Sequence, residues 1–251
     1  MVRFSANLGF LWADLLLPEA IRRAKDAGFD AVECHWPYDS STVEVKSALE
    51  ETGLTMLGLN SERGDVAAGE FGLTALPDRQ DEAIHAIARS VEYALAIDAK
   101  AIHVMAGNAE GADAHRTFLQ NLDAACEMTA GTDIGILIEP INAFDAPQYF
   151  LRTTDQARRI IEQINSPNLK LMFDCYHVAR TEGEVIARLN DLFPLIGHVQ
   201  FASVPDRGTP DHGDVDYSAV FAELAKLGWD RPLGAEYKSL GTTLDWMDLF
   251  V

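Results

Sequence analysis

Four polar residues each close an apolar, strand-like run in the second half of the chain. They are Glu139 after Ile134-Gly-Ile-Leu-Ile, Asp174 after Leu169-Lys-Leu-Met-Phe, Gln200 after Ile196-Gly-His-Val, and Glu236 after Pro232-Leu-Gly-Ala. Three carboxylates and one amide gathered at one place would repel each other unless a cation sat between them. An all-oxygen donor set suits a hard divalent ion such as Mg²⁺ or Mn²⁺, whereas zinc usually brings His or Cys with it. Such an ion could polarise a substrate carbonyl and hydroxyl together as a Lewis acid and lower the pKa of the C–H between them. Glu139 could then remove that proton and Glu236 return it to the neighbouring carbon, or the reverse, shifting the carbonyl by one position.

This chemistry requires elements that bring the four ends together. Strand-like runs at 2–8, 30–36, 54–60, 100–106, 134–141, 169–174, 196–202 and 232–237 alternate with helical patterns that begin near 18, 40, 79, 112, 153, 181, 216 and 242. Pro18-Glu-Ala, Ser40-Ser-Thr and Thr153-Thr-Asp are helix-start signals, and Gly28 and Gly53 read as helix-terminating glycines. Strand–helix alternation repeated eight times predicts a single-domain (β/α)8 TIM barrel over 1–251, with the strand ends on one catalytic rim. An open doubly wound sheet is the competing fold, but no Gly-x-Gly-x-x-Gly or phosphate loop follows any strand. The long connection 61–78 is expected on that rim as a lid or wall, where Glu70 could cover the substrate.

Strand parity puts Gln200 on the face of His198 and Glu236 on the face of Gly234, with Lys238 continuing that parity. Glu33, sharing parity with His35, reads as a buried carboxylate needing a partner, and His198 and His103 as core histidines. The formal charge of −19, from 20 Lys plus Arg against 39 Asp plus Glu, argues against a nucleic-acid surface. An anionic substrate would therefore have to be held by a few local cations, Arg207 and Lys238 being the candidates. The three cysteines are odd in number and widely spaced, which fits a reducing, cytoplasmic setting rather than a disulfide framework. No run approaches the roughly 20 apolar residues of a membrane helix.

Several segments together carry a resemblance. Arg3-Phe-Ser-Ala-Asn-Leu, Ala67-Ala-Gly-Glu-Phe-Gly-Leu, Ile138-Glu-Pro-Ile-Asn, Phe173-Asp-Cys-Tyr-His, Gly197-His-Val-Gln, Pro205-Asp-Arg-Gly-Thr-Pro and Gly234-Ala-Glu-Tyr-Lys resemble the hydroxypyruvate isomerase family of xylose isomerase-like barrels, in order along the chain. The resemblance implies interconversion of hydroxypyruvate and tartronate semialdehyde, a divalent cation, and no organic cofactor. It implies Glu139 and Glu236 as paired acid–base groups that also touch the metal, with Asp174 and Gln200 completing its shell. It also implies His177 at a substrate oxygen and Arg207 beside a small anionic hydroxy-keto acid. Relatives within that superfamily act on 2-oxo-tetronates or epimerise ketoses at carbon 3, and both remain open alternatives; a homo-oligomer is compatible with the composition. The segment Pro210-Asp-His-Gly departs from the family's Pro-Gly-x-Gly and places Asp211 and His212 beside Arg207.

Overall fold

Short runs of alternating side chains build a ring of parallel strands in the computed structural model, which describes residues 2–238 and 244–250. The strands are β1 Phe4–Asn7, β2 Ala31–Glu33, β3 Thr55–Met56, β4 Leu59–Asn60, β5 Ala101–His103, β6 Gly135–Ile138, β7 Leu169–Asp174, β8 Ile196–Phe201 and β9 Leu233–Ala235. Their order is β3-β2-β1-β9-β8-β7-β6-β5-β4, with every pair parallel. The run predicted as one strand at 54–60 is divided into β3 and β4. Its first half pairs with β2 and its second half with β5, so the two pieces form one crossing that closes the barrel. Through the break, Leu57 N–H donates to Val32 (2.7 Å) and Cys34 N–H to Gly58 (3.0 Å).

Helices surround this ring: α1 Leu17–Asp26, α2 Thr42–Thr52, α3 Gln80–Ile97, α4 Gly111–Met128, α5 Thr154–Ile164, α6 Cys175–Thr181, α7 Val185–Leu192 and α8 Tyr217–Lys226. Thr153 caps α5 through Gln156 N–H as expected, and Gly53 ends α2 in the left-handed region. Ser41 stands at the start of α2 without a side-chain cap bond. The helix expected to begin near 181 is corrected to two. Asp174 caps α6 directly at the end of β7, and Gly183 and Glu184, both at positive φ, turn the chain into α7. The start expected near 242 lies outside the described residues; the segment Asp245–Phe250 is a 3-10 helix.

The apolar core lies mainly between sheet and helices, in one large cluster. Inside the ring, Ala101, Leu137 and Met172 pack on one another apart from that core. Two residues further along β5, β6 and β7, the same inward face carries His103, Glu139 and Asp174. Period-two alternation thus stacks a polar layer on an apolar one, as barrel interiors do. Among the described residues no helix is long and apolar enough to cross a membrane.

Candidate active site

The polar layer is held by a carboxylate at its centre. Glu33, last residue of β2, accepts from Asn7 Nδ2 (3.0 Å) and Gln200 Nε2 (2.7 Å) through Oε1, while its Oε2 faces His198 Nε2 at 2.6 Å. Gly234 makes room for this crossing: a Cβ there would lie 2.7 Å from both Glu33 carboxylate oxygens. The buried partners expected for Glu33 are thus present, and His198 is one of them.

Around this support, one ligand atom each from Glu139, Asp174, His177 and Glu236 fall within 4.8 Å of one another, and all four residues are buried. Gln200 lies in register with Asp174 on one side and Gly234 on the other, between the strands of Asp174 and Glu236. Among the described residues, three oxygens here are buried without any hydrogen-bond donor: Glu139 Oε1, Asp174 Oδ2 and Gln200 Oε1. Buried acceptors are normally satisfied, so three orphans beside a third carboxylate form the donor set of a hard divalent cation. The residues present therefore fit such a metal.

His177, by contrast, is arranged as a donor. Asn142 Oδ1 accepts from the backbone N–H groups of Phe144 and Asp145, each at 3.0 Å, which fixes the amide so that Nδ2 points at His177 Nδ1 (2.6 Å). Nδ1 is then the acceptor, leaving the hydrogen on Nε2. That nitrogen lies 3.5 Å from Asp174 Oδ2 and 3.8 Å from Glu139 Oε1. Burial, with Arg207 adding to it, pushes His177 well below the usual histidine range and keeps it neutral.

The two glutamates are driven apart. Burial, then Glu236 and Asp174, raise Glu139 well above the ordinary carboxyl value. Burial acts the same way on Glu236, but the Arg207 guanidinium and the His35 hydrogen bond outweigh it and hold Glu236 low. Glu236 Oε1 accepts from Asn7 Nδ2 (2.9 Å) and faces His35 Nε2 (3.1 Å), while Oε2 accepts from Arg207 Nη2. Asp174 uses Oδ1 to cap α6 through Tyr176 N–H (2.8 Å); burial and Glu236 push its carboxyl up to about 7.

Arg207 sits at positive φ (57°), sandwiched between the Phe10 and Tyr176 rings, with its Nη1 3.5 Å from Asp145 and its Nε buried without a partner among the described residues. The structure therefore brings Glu139, Asp174, Gln200, Glu236, His177 and Arg207 into one neighbourhood. It does not bring Lys238 or Glu70 there. The strand ends at Ala235, so parity stops carrying the chain, and Lys238 is exposed with its backbone N–H on the Arg207 carbonyl (2.8 Å). Glu70 is committed to its own loop, where it pairs with Arg79 and accepts from Asp65 N–H at 2.6 Å. That loop is a wall: Gly72 bridges to Ala106, and Ala75 N–H donates to the Ala106 carbonyl.

Sequence reasoning missed Asn7, His35 and Asn142, and it read His103 as purely structural although its Nδ1 lies 3.5 Å from Glu139 Oε2. Burial lowers His103 to about 4, so it stays neutral there. Asn7, Glu33 and His103 are each the last residue of a strand, as Asp174 is, with Glu139 and Glu236 one residue past theirs. That signal was present on the first half of the barrel too.

The family described as xylose isomerase-like TIM barrel matches residues 21–248. A protein of Cupriavidus necator named 2-oxo-tetronate isomerase is 39% identical, over 98% of this chain and 98% of its own. A protein of Escherichia coli named hydroxypyruvate isomerase is 36% identical, over 99% of each chain. A crystal structure titled AP endonuclease, family 2, from Brucella melitensis superposes with a TM-score of 0.95 at 33% identity, covering 100% of this chain and 99% of that one.

Proposed function

The chain belongs to the xylose isomerase-like TIM barrel family, and from that premise we propose that it is an isomerase that interconverts hydroxypyruvate and tartronate semialdehyde. The observation that carries this reading is the pairing of Glu139 and Glu236 in one buried cluster with orphaned carboxylate and amide oxygens. Glu139, Asp174, Gln200 and Glu236 would hold Mg²⁺ or Mn²⁺, which when bound supplies Lewis-acid polarisation of the substrate's carbonyl and hydroxyl.

The chain's own groups divide the remaining work. Glu236, held anionic by Arg207 and His35, takes the proton from the hydroxymethyl carbon of hydroxypyruvate. Glu139, the other member of the pair, delivers one to the former carbonyl carbon, while the hydroxyl proton passes between the two substrate oxygens. The outcome is an aldehyde at the former hydroxymethyl carbon and a hydroxyl at the former carbonyl carbon, and the two carboxyls re-equilibrate with water between turnovers. His177 Nε2–H donates to a substrate oxygen, oriented by Asn142 behind it. Arg207, whose Nε–H lacks a partner, grips the substrate carboxylate.

A second reading, isomerisation of four-carbon 2-oxo-tetronates, is favoured by the 39%-identical relative of that name. The endonuclease reading suggested by one structural title is disfavoured by the charge of −19 and by a donor set made of oxygens. The three cysteines are free and buried, in keeping with the cytoplasm as the proposed compartment.

A proton NMR time course of hydroxypyruvate with the Mg²⁺-loaded protein in D₂O tests the assignment. The aldehyde hydrate of tartronate semialdehyde should appear with deuterium at carbon 2, and chelation should stop it. Turnover of 2-oxo-tetronates alone would move the substrate to four carbons; turnover of neither would sink the reading. Arg207→Ala should raise KM for the carboxylate substrate roughly tenfold or more, the worth of a charge-assisted bond. An unchanged KM would make this arginine structural.

A further inference from the structure

Arg207 is carried by a tight loop after β8, and the loop is clamped from outside by His212. Inside the clamp, Arg207 N–H donates to the Ser203 carbonyl (2.9 Å) and Ser203 N–H to the Gly208 carbonyl (3.0 Å). Gly208 N–H reaches both Ser203 Oγ and Asp206 Oδ1 at 3.2 Å. Ser203 Oγ in turn donates its proton to Asp206 Oδ1. With that hydroxyl proton spent, Ser203 Oγ can only accept from His212 Nε2, which lies 3.1 Å away and 2.9 Å from Asp206 Oδ2. On the far side of the ring, His212 Nδ1 faces Asp211 Oδ1 at 3.3 Å. Both ring nitrogens therefore face acceptors, an arrangement that only the doubly protonated imidazolium satisfies in full.

The ring also fills the space above Gly208: a Cβ on that glycine would lie 3.1 Å from His212 Cε1 and 3.2 Å from Nε2. Arg207 itself is a non-glycine residue in the left-handed region, a conformation that persists only where its surroundings hold it. Resting on the reading that Arg207 grips the substrate carboxylate, the geometry points to His212 as a positioning residue: its imidazolium, clamped between Asp206 and Asp211, holds the Arg207 loop in its substrate-binding form.

Among the described residues, the charged groups facing the ring are Asp206 and Asp211; Tyr237, just past β9, senses Asp211 from the other side. The Asp206 and Asp211 hydrogen bonds raise His212 above the ordinary histidine value despite its exposure. The sign follows: the clamp is complete below the ordinary histidine pKa and is lost as pH rises through the raised one. The consequence is substrate affinity that falls at alkaline pH while the proton-transfer step keeps its rate.

The test compares wild type with His212→Gln as full-length, Mg²⁺-loaded proteins. The ring titration is followed by NMR, and kcat and KM for hydroxypyruvate are measured across it. In wild type KM should rise roughly fivefold or more, the lower end of coupling between linked sites, in step with the His212 titration. His212→Gln should show the high-pH KM throughout, with kcat little changed. A KM profile in the variant that parallels wild type overturns the inference even though turnover is intact. Amide exchange at Arg207 and Gly208 decides the matter without activity. Protection should fall across the His212 titration in wild type and be low and flat in the variant; equal protection in both proteins overturns the clamp. Absent turnover with the protection difference intact would instead count against the isomerase reading alone.

Discussion

Glu139→Gln and Glu236→Gln should each lower kcat for hydroxypyruvate by at least about a hundredfold, the ordinary worth of a general acid or base. The glutamine keeps the shape of the side chain and removes its capacity to carry a proton, so the two variants separate proton transfer from packing. Glu236→Gln also takes from Arg207 the carboxylate it donates to, which leaves the guanidinium facing Asp174 at 3.7 Å and Asp145 at 3.5 Å. Its KM should therefore move with the loss of that contact, whereas Glu139→Gln leaves the Arg207–Glu236 pair in place. Steady-state kinetics with circular dichroism as the fold control reads both. A rate within about threefold of wild type in either variant would take that residue out of its acid–base role.

Glu33→Ala should be strongly destabilising, costing about 3 kcal/mol or more at about 1–3 kcal/mol for each buried donor left unsatisfied. The carboxylate receives Asn7, Gln200 and His198 at once. Its loss strands three buried donors and opens a void beneath Gly234. Chemical denaturation measures the change. A loss under about 1 kcal/mol would mean that water takes over the three bonds, as at sites open enough to hydrate.

The four strand-closing residues were readable in sequence because two independent periodicities coincide there. Side chains alternate along a strand, and a polar residue ending an apolar run marks the rim. Glu139, Asp174, Gln200 and Glu236 satisfied both conditions, and the structure gathers them. Lys238 and Glu70 satisfied only the first or neither: once the backbone leaves the strand, its direction depends on contacts from distant parts of the chain. Asn142 was hidden for the same reason. It acts on His177 across 35 positions of sequence, through a loop conformation fixed by its own side chain. His35 sits two residues past β2, where parity no longer says that it will bend back to Glu236. The split crossing at Thr55–Asn60 was read as continuous because its composition does not record which neighbour each half will take.

Asp174 gives one oxygen to the start of α6 and leaves the other in the cluster, and the same seven-residue helix carries Tyr176 beneath Arg207 and His177 beside Glu139. Folding of that one short helix and assembly of the reactive constellation are therefore a single event. A molecule in which α6 has frayed still has its barrel, yet it has lost the orientation of a carboxylate, a hydrogen-bond donor and one wall of the guanidinium. Cys175, Tyr176, His177 and Val178 of that helix are buried, so its packing against the barrel is what keeps the constellation assembled.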